Sequence, residues 1–404
     1  MAPLQLNFIY DKGSAASKAR AEGVERLLLG FRSDLPPFQK PRHYDFREQF
    51  AFGDVNFHLD MPLFVAMSWA HVNVVLKHED EASVAAWADA WDAYRPAFDA
   101  VLDAGLMAGS PSAELLGLVR PLFVLAQERQ PKKGVVHCPP ILHQEDCPPI
   151  SIVTPTYNRR KLVDIAFHNL MATDYPAEKI EWVVVEDNEE SERMASERFM
   201  NFQMNNPKIT VKYIPIQGRM SIGQKRNIGV ENASHDIIVF MDDDDHYPIT
   251  SLRRRVAWLT KARKGGEERG GDIAFCTTIA LYDLVRGVSA VNVPPYGLSL
   301  GKRISEATLT FRKSAWLERK FEEVSIAEGD AWVAGRESAC VEMPPQQIIV
   351  AFSHRENASS RRVPPSETKE VACFWGFPKE YLIFVHRLVG IELEESEESR
   401  RGRR

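Results

Sequence analysis

The sequence predicts an α/β protein: a mixed, mostly parallel sheet with helices on both faces, preceded by a smaller α/β unit. Three observations carry that expectation. Between residues 150 and 241, continuous apolar runs alternate with helical stretches, and a run that is apolar at every position marks a strand buried on both faces. Polar residues gather directly after those runs, at the strand ends where open α/β sheets bind their ligands. A break rich in proline between Gln130 and Pro149 separates this region from a less regular one before it, because X-Pro steps favour extended chain and stop helices.

Within residues 1–130, Leu4–Ile9 and Val72–Leu76 are short apolar runs, and Ala15–Leu29, Ala82–Ala93 and Ser112–Ala126 have helical character. No motif there identifies a ligand, and Trp69, Trp87 and Trp91 read as core or interface residues. Residues 131–149 are expected to be a linker, with Pro131, Pro139, Pro140, Pro148 and Pro149 in it. The main domain, 150–390, opens with the strand Ile150–Thr154, followed by Pro155, Thr156, Tyr157 and Asn158. A helix with Leu162, Ile165, Ala166 and Leu170 on one face comes next. The strand Ile180–Val185 ends at Glu186, Asp187 and Asn188. Then come a helix over Ser191–Met204, a strand over Ile209–Ile216, a helix over Gly223–Ala233 and a strand over Ile237–Met241 that runs into Asp242, Asp243, Asp244 and Asp245. Residues 391–404 form a charged tail with no apolar face to bury, which predicts disorder.

Composition excludes several classes. Fifty-six acids against 50 bases give a net charge of −6, the wrong sign for a constitutive nucleic-acid binder. Five cysteines in 404 residues, an odd number, make no disulfide framework and suit a reducing, cytoplasmic location. The opening MAPLQLNFIYDKGS lacks a basic stretch followed by an apolar one, so no secretory signal is expected. The longest apolar stretches, such as Leu63–Ala70, fall short of the roughly 18 residues a membrane helix needs.

Four adjacent carboxylates at a strand end repel one another, and crowding raises their pKa values unless a cation compensates. Alternate side chains of extended chain point the same way, so Asp242 and Asp244 can share one ion. Oxygen ligands of this kind select Mg²⁺ or Mn²⁺, ions typically held together with substrate phosphates. The same run also fits a solvated acidic turn ahead of a helix starting near Ile249.

Taken together, the motifs resemble the family 2 glycosyltransferases of the GT-A fold. Residues Ser151 to Arg159 (SIVTPTYNR) look like that family's opening strand and turn. Val185-Glu186-Asp187-Asn188 stands where the family has paired acids, with Glu186 in place of the commoner aspartate. Gly223-Gln224-Lys225-Arg226-Asn227-Ile228-Gly229 resembles the helix start before the metal motif, Phe240–Asp245 resembles the DxD segment, and Glu328-Gly329-Asp330 resembles the segment carrying the base. The likeness covers roughly residues 150–352. It implies a metal-dependent, inverting transfer (EC 2.4 class) from a nucleotide-diphosphate sugar, UDP-sugar favoured and GDP-sugar possible, to a glycan or other hydroxyl acceptor.

It also implies residue roles. Pro155, Thr156, Tyr157, Asn158, Glu186, Asp187, Lys225, Arg226, Asn227 and Asp243 would line the nucleotide-sugar site, Asp187 by accepting a hydrogen bond from the base. Asp242, Asp244 and His354 would hold the Mn²⁺ or Mg²⁺, and Asp330, with Glu328 as substitute, would be the general base. Asp330 can also serve as a helix N-cap, His354 as a structural histidine, and Lys225 with Arg226 as a surface charge patch, while Arg361 and Arg362 read as a solvated loop or as one that closes over phosphates. His137, Cys138, His143 and Cys147 fit no common zinc spacing. The competing functions are a sugar nucleotidyltransferase, which would be expected to carry a glycine-rich phosphate loop after the first strand, and a catalytically inactive nucleotide- or carbohydrate-binding module, which would need no base.

Overall fold

The computed structural model describes residues 3–45, 52–60, 69–78, 98–129, 141–157, 161–188, 196–261, 263–264, 267–268, 271–294, 298–343, 345, 347–354, 362–367 and 377–393. Asn158, the 82–93 helix, Trp87, Trp91, His137, Cys138, Arg361, the first half of the expected linker and residues 394–404 lie outside the described residues.

The first unit is a five-stranded sheet in the order β2-β1-β3-β4-β5, every neighbouring pair parallel. Its strands are β1 (Leu6–Tyr10), β2 (Arg42–Asp45), β3 (Phe52–His58), β4 (Trp69–Lys77) and β5 (Ala100–Asp103). Helix α1 (Ala15–Gly30) begins at Ser14, whose side chain accepts from the Ser17 amide. A short turn of helix, α2 (Ala104–Met107), leads to α3 (Ala113–Arg129). β3 is invisible to an apolar-run reading because it carries Asn56 inward, where the Asn7 amide donates to it at 2.8 Å. A buried amide pair that satisfies itself is compatible with a core, and periodicity alone does not reveal it.

The second unit is a seven-stranded sheet in the order β16-β12-β15-β9-β6-β7-β8. Its members are β6 (Ile150–Thr156), β7 (Ile180–Asn188), β8 (Thr210–Gln217), β9 (Ile237–Phe240), β12 (Ile273–Cys276), β15 (Ser305–Arg312) and β16 (Cys340–Glu342), and only β15 runs against its neighbours. Between β9 and β12 lies a two-residue ladder, β10 (Arg263–Lys264) with β11 (Glu267–Glu268). A second sheet of three strands, β14-β13-β17, is built from β13 (Ile279–Asp283), β14 (Val288–Asn292) and β17 (Val350–Ser353). The mixed, mostly parallel sheet expected from the apolar runs is therefore present. β8 departs from the pattern: it is the edge strand, and most of its residues are half-buried or exposed.

Alternate residues of the central strands feed two cores. Ile150, Ile152, Trp182, Val184 and Val239 face α4 (Val163–Ala172), α5 (Ser196–Asn205) and α7 (Ser251–Lys261). Val153, Val183, Ile238 and Phe240 face α6 (Ile222–Asn232), and beyond it Trp316 and Trp332, a cluster that also takes in Val75 and Phe98. The last helix, α11 (Lys379–Leu388), closes over Leu162, Tyr282 and Phe352. In chain order before it come α8 (Leu300–Arg303), α9 (Lys313–Glu318) and α10 (Asp330–Val333).

The expected linker is corrected in its second half. Residues 141–149 are not free: Leu142 and Cys147 are buried in the core of the second unit. The Leu142 carbonyl accepts from Arg253 Nε at 2.8 Å, and the Cys147 carbonyl from Lys179 Nζ at 2.6 Å. Burial also pushes the Cys147 thiol up, which disfavours the thiolate a zinc site needs.

Two glycines let α6 approach its neighbours. A Cβ on Gly229 would stand 2.3 Å from Val153 Cγ1, and one on Gly223 would stand 1.8 Å from the Glu322 carbonyl oxygen. The helix therefore lies on β6 at a distance no larger residue permits. Gly229→Ala is expected to lower stability by about 1–3 kcal/mol through overpacking. Val153→Ala in the same chain should recover part of that loss in urea unfolding, whereas simple additivity would disconnect the two positions.

Candidate active site

Parallel strands β6, β7 and β9 deliver their carboxyl ends to one edge of the sheet. Thr156 closes β6, Glu186 and Asp187 close β7, and Asp242–Asp245 follow β9. The geometry brings these residues together with Lys225 and Arg226, whose helix begins with a capping box between Ser221 and Gln224.

Every buried acid here has a partner. Asp187, fully buried, accepts from Lys225 Nζ at 2.6 Å through Oδ1 and from the Met220 amide at 2.7 Å through Oδ2. Lys225 also donates to the Thr156 carbonyl at 3.1 Å, and burial lowers its pKa even though Asp187 opposes the shift. Glu186 accepts from the Tyr213 hydroxyl, and Asp243 from the Thr156 hydroxyl. Asp244 Oδ2 lies 3.0 Å from His354 Nε2, both side chains being buried. Asp245 accepts from the Phe352 amide at 2.9 Å, and burial next to Asp244 and Asp242 raises its carboxyl well above the usual range.

Arg226 is 3 % exposed and lies between two acids. Its Nε donates to Glu328 Oε1 at 2.7 Å and its Nη2 to Asp242 Oδ1 at 3.3 Å, while the guanidinium lies 4.5 Å from the Phe240 ring centroid. Burial alone would lower its pKa, but Asp242, Glu328 and Glu306 outweigh that and raise it. Asp242 is the least buried of the four aspartates, its side chain 29 % exposed. Beyond Glu328, Asp330 is half-buried, and the Ser299 hydroxyl lies 3.5 Å from its Oδ1. Gly301 packs so closely that a Cβ there would stand 2.7 Å from the same oxygen. Ala327, just before Glu328, has φ 57°, a left-handed conformation uncommon for a residue other than glycine.

Several expectations change. Lys225 and Arg226 are interior ion-pair residues, not a surface patch. Asn227 does not face the crevice: its Oδ1 accepts from Trp316 Nε1 and the Phe321 amide, and its Nδ2 donates to the Phe321 carbonyl. Glu328 is spent on Arg226. Asp330 does not cap α10, since Gly329 is the cap residue and no side-chain cap bond forms. The four aspartates are no solvated turn, because Asp243, Asp244 and Asp245 are each under 10 % exposed. Pro155 is buried within β6, pairing with Val185.

Sequence reasoning missed three residues. Arg219 lies 3.3 Å over the Tyr157 ring and 3.6 Å from Asp187, and its place just after β8 is the signal that could have found it. Tyr247 accepts from the Asp242 amide at 2.9 Å and donates to the Ala307 carbonyl at 3.1 Å. His246 pairs with Val350 through both backbone bonds and with Tyr381 at 2.7 Å, so β17 and α11 brace the aspartate run.

The donor set fits a hard divalent cation. Asp244 lies against the His354 imidazole, and Asp242, two residues earlier at the same strand end, carries a carboxylate that reaches solvent. Among the described residues no three such side chains converge into a preformed cage. A cation held partly by substrate phosphates needs none.

Residues 151–267 match glycosyl transferase family 2. The poly(ribitol-phosphate) beta-N-acetylglucosaminyltransferase TarS of Staphylococcus aureus is 25% identical over 111 residues, which are 27% of this chain and 18% of that relative's length. Solved structures with similarity include the mannosyltransferase PcManGT from Pyrobaculum calidifontis in complex with GDP-Man and Mn²⁺ (17% identity, TM-score 0.40, 54% of this chain and 61% of that one). Another is S. aureus TarS 1–349 in complex with UDP-GlcNAc (18% identity, TM-score 0.39, 61% and 68%). No helix among the described residues is long and apolar enough to cross a membrane.

Lys225→Met removes the buried cation from Asp187 and leaves it the Met220 amide and the longer, half-exposed Arg219 contact, which should lower stability by about 3 kcal/mol. Adding Asp187→Asn should return much of that in urea unfolding. A double variant no more stable than the single one would show that the pair is not the source of the loss.

Proposed function

We propose that this chain, whose residues 151–267 belong to glycosyl transferase family 2, is an inverting, metal-dependent glycosyltransferase that moves a sugar from a nucleotide-diphosphate donor to an acceptor hydroxyl. The observation that carries the reading is the single guanidinium of Arg226 joining the aspartate run to the 328–330 segment at the carboxyl ends of parallel strands. In this reading the aspartate run serves the cation that meets the donor phosphates, and the 328–330 segment serves the acceptor proton.

Asp187 and Lys225 fix the β7 end and the Met220 amide, while Arg219 on Tyr157 offers a half-exposed cation and ring at the crevice. In this reading Asp187 serves the nucleotide by holding these groups, and Thr156 holds Asp243 in the wall behind them. Asp242 and Asp244, with His354, would hold Mn²⁺ or Mg²⁺, which when bound neutralises charge building on the departing diphosphate. Asp330 takes the proton from the attacking acceptor hydroxyl. It is half-buried and, unlike Glu328, is not tied to Arg226. Attack from the face opposite the leaving diphosphate inverts the anomeric centre and requires no covalent intermediate.

The donor is a UDP-sugar in the first instance, with a GDP-sugar the other member of the class. A panel of nucleotide sugars with Mn²⁺, scored for transfer and hydrolysis, tests the reading. Asp244→Asn should abolish turnover with the fold intact, and full activity in excess chelator would remove the metal from the account. Asp330→Asn should lower the rate about 10²–10⁴-fold, the range for loss of a positioned base, at unchanged donor affinity. Calorimetric binding of the nucleotide diphosphate would check that second half.

A further inference from the structure

Arg226 holds its two acids unequally. The contact to Glu328 is 2.7 Å and fully buried, whereas the one to Asp242 is 3.3 Å and Asp242 is the partner that reaches solvent. Its third nitrogen, Nη1, is buried with no hydrogen-bond partner among the described residues. A guanidinium keeps its charge at any working pH, so it stays cationic when a second cation approaches the same carboxylate. Two cations at one carboxylate repel, and the contact that yields is the longer, wetter one.

We propose that Arg226 is a positioning residue that couples the two halves of the crevice: it serves as resident counter-ion of Asp242 until a divalent cation takes that carboxylate, and it holds the base segment through Glu328 throughout. The proposal rests on the transferase reading above and adds to it a sign. Arg226 opposes cation binding while supporting the acceptor side. Because such coupling is reciprocal, removing the guanidinium should strengthen cation binding, and removing its other partner should weaken it.

The experiment is calorimetric titration of Mn²⁺ alone, without nucleotide, into the full chain and its variants. Arg226→Gln should bind Mn²⁺ about tenfold more tightly, the effect one neighbouring charge has on a carboxylate's proton affinity. Glu328→Gln should bind it at least about threefold more weakly, since the guanidinium then serves Asp242 alone. Both should lose turnover. Arg226→Lys keeps the charge but loses the fork, so Mn²⁺ affinity should stay near that of the parent while kcat falls and the donor KM holds. It also provides the test if Arg226→Gln does not fold. Equal Mn²⁺ affinity in parent, Arg226→Gln and Glu328→Gln, with lower melting temperatures only, would overturn the coupling and leave Arg226 structural. Parent protein that neither binds Mn²⁺ nor transfers sugar would instead overturn the transferase reading itself.

Discussion

Burying charge at the carboxyl ends of β6, β7 and β9 is the constraint on which the rest of the second unit depends. An unpaired carboxylate in an apolar interior costs several kcal/mol, and this edge buries Glu186, Asp187, Asp243, Asp244 and Asp245. Hydroxyls, an imidazole and a backbone amide satisfy Glu186, Asp243, Asp244 and Asp245, while the two buried cations of the site come from one turn of α6. Lys225 and Arg226, adjacent in sequence, reach Asp187 on one side and Asp242 with Glu328 on the other. That turn has to lie deep, and Gly223 and Gly229 make it possible by removing the side chains that would hold the helix off the 322–324 segment and β6.

A second set of contacts braces the aspartate run from the opposite side. His246 pairs with β17 through its backbone, Asp245 takes the Phe352 amide, and Asp244 meets His354 just beyond that strand. α11 then packs on His246 through Tyr381, and its His386 meets Tyr282 at 2.5 Å. Asp242 differs from its neighbours: Tyr247 holds its backbone amide and Arg226 reaches its carboxylate at 3.3 Å, yet its side chain is still 29 % exposed. The run is therefore rigid at Asp243–His246 and open at its first member. In the proposed reading, that open member is where a cation would arrive with its substrate.

Much of this was legible in the chain. Ile150–Val153, Trp182–Val185 and Ile237–Phe240 are almost wholly apolar and rich in Val and Ile, the composition that burial on both faces of a sheet favours. The acids that follow them are conspicuous because polar residues directly after a buried strand have to lie at its end. The same logic failed for β3, where Asn56 is buried against Asn7. It found β8, expected over Ile209–Ile216 and present at Thr210–Gln217, but not that this is an edge strand, which needs only one apolar face.

What the sequence by itself determined is the sheet's central strands, their direction and the set of acids at their ends, since these follow from local periodicity and chain order. What only the tertiary structure decided is how those acids are neutralised. Arg226 and Glu328 are 102 residues apart, as Asp244 and His354 are 110 apart, and no spacing rule relates them. The fold likewise removed Asn227 from the crevice by spending its amide on Trp316 and Phe321, and removed the cap role from Asp330 by starting the turn at Gly329. A side chain's chemical type is written in the chain. Its partner depends on which segments the two cores press together, and packing over long sequence separations sets that.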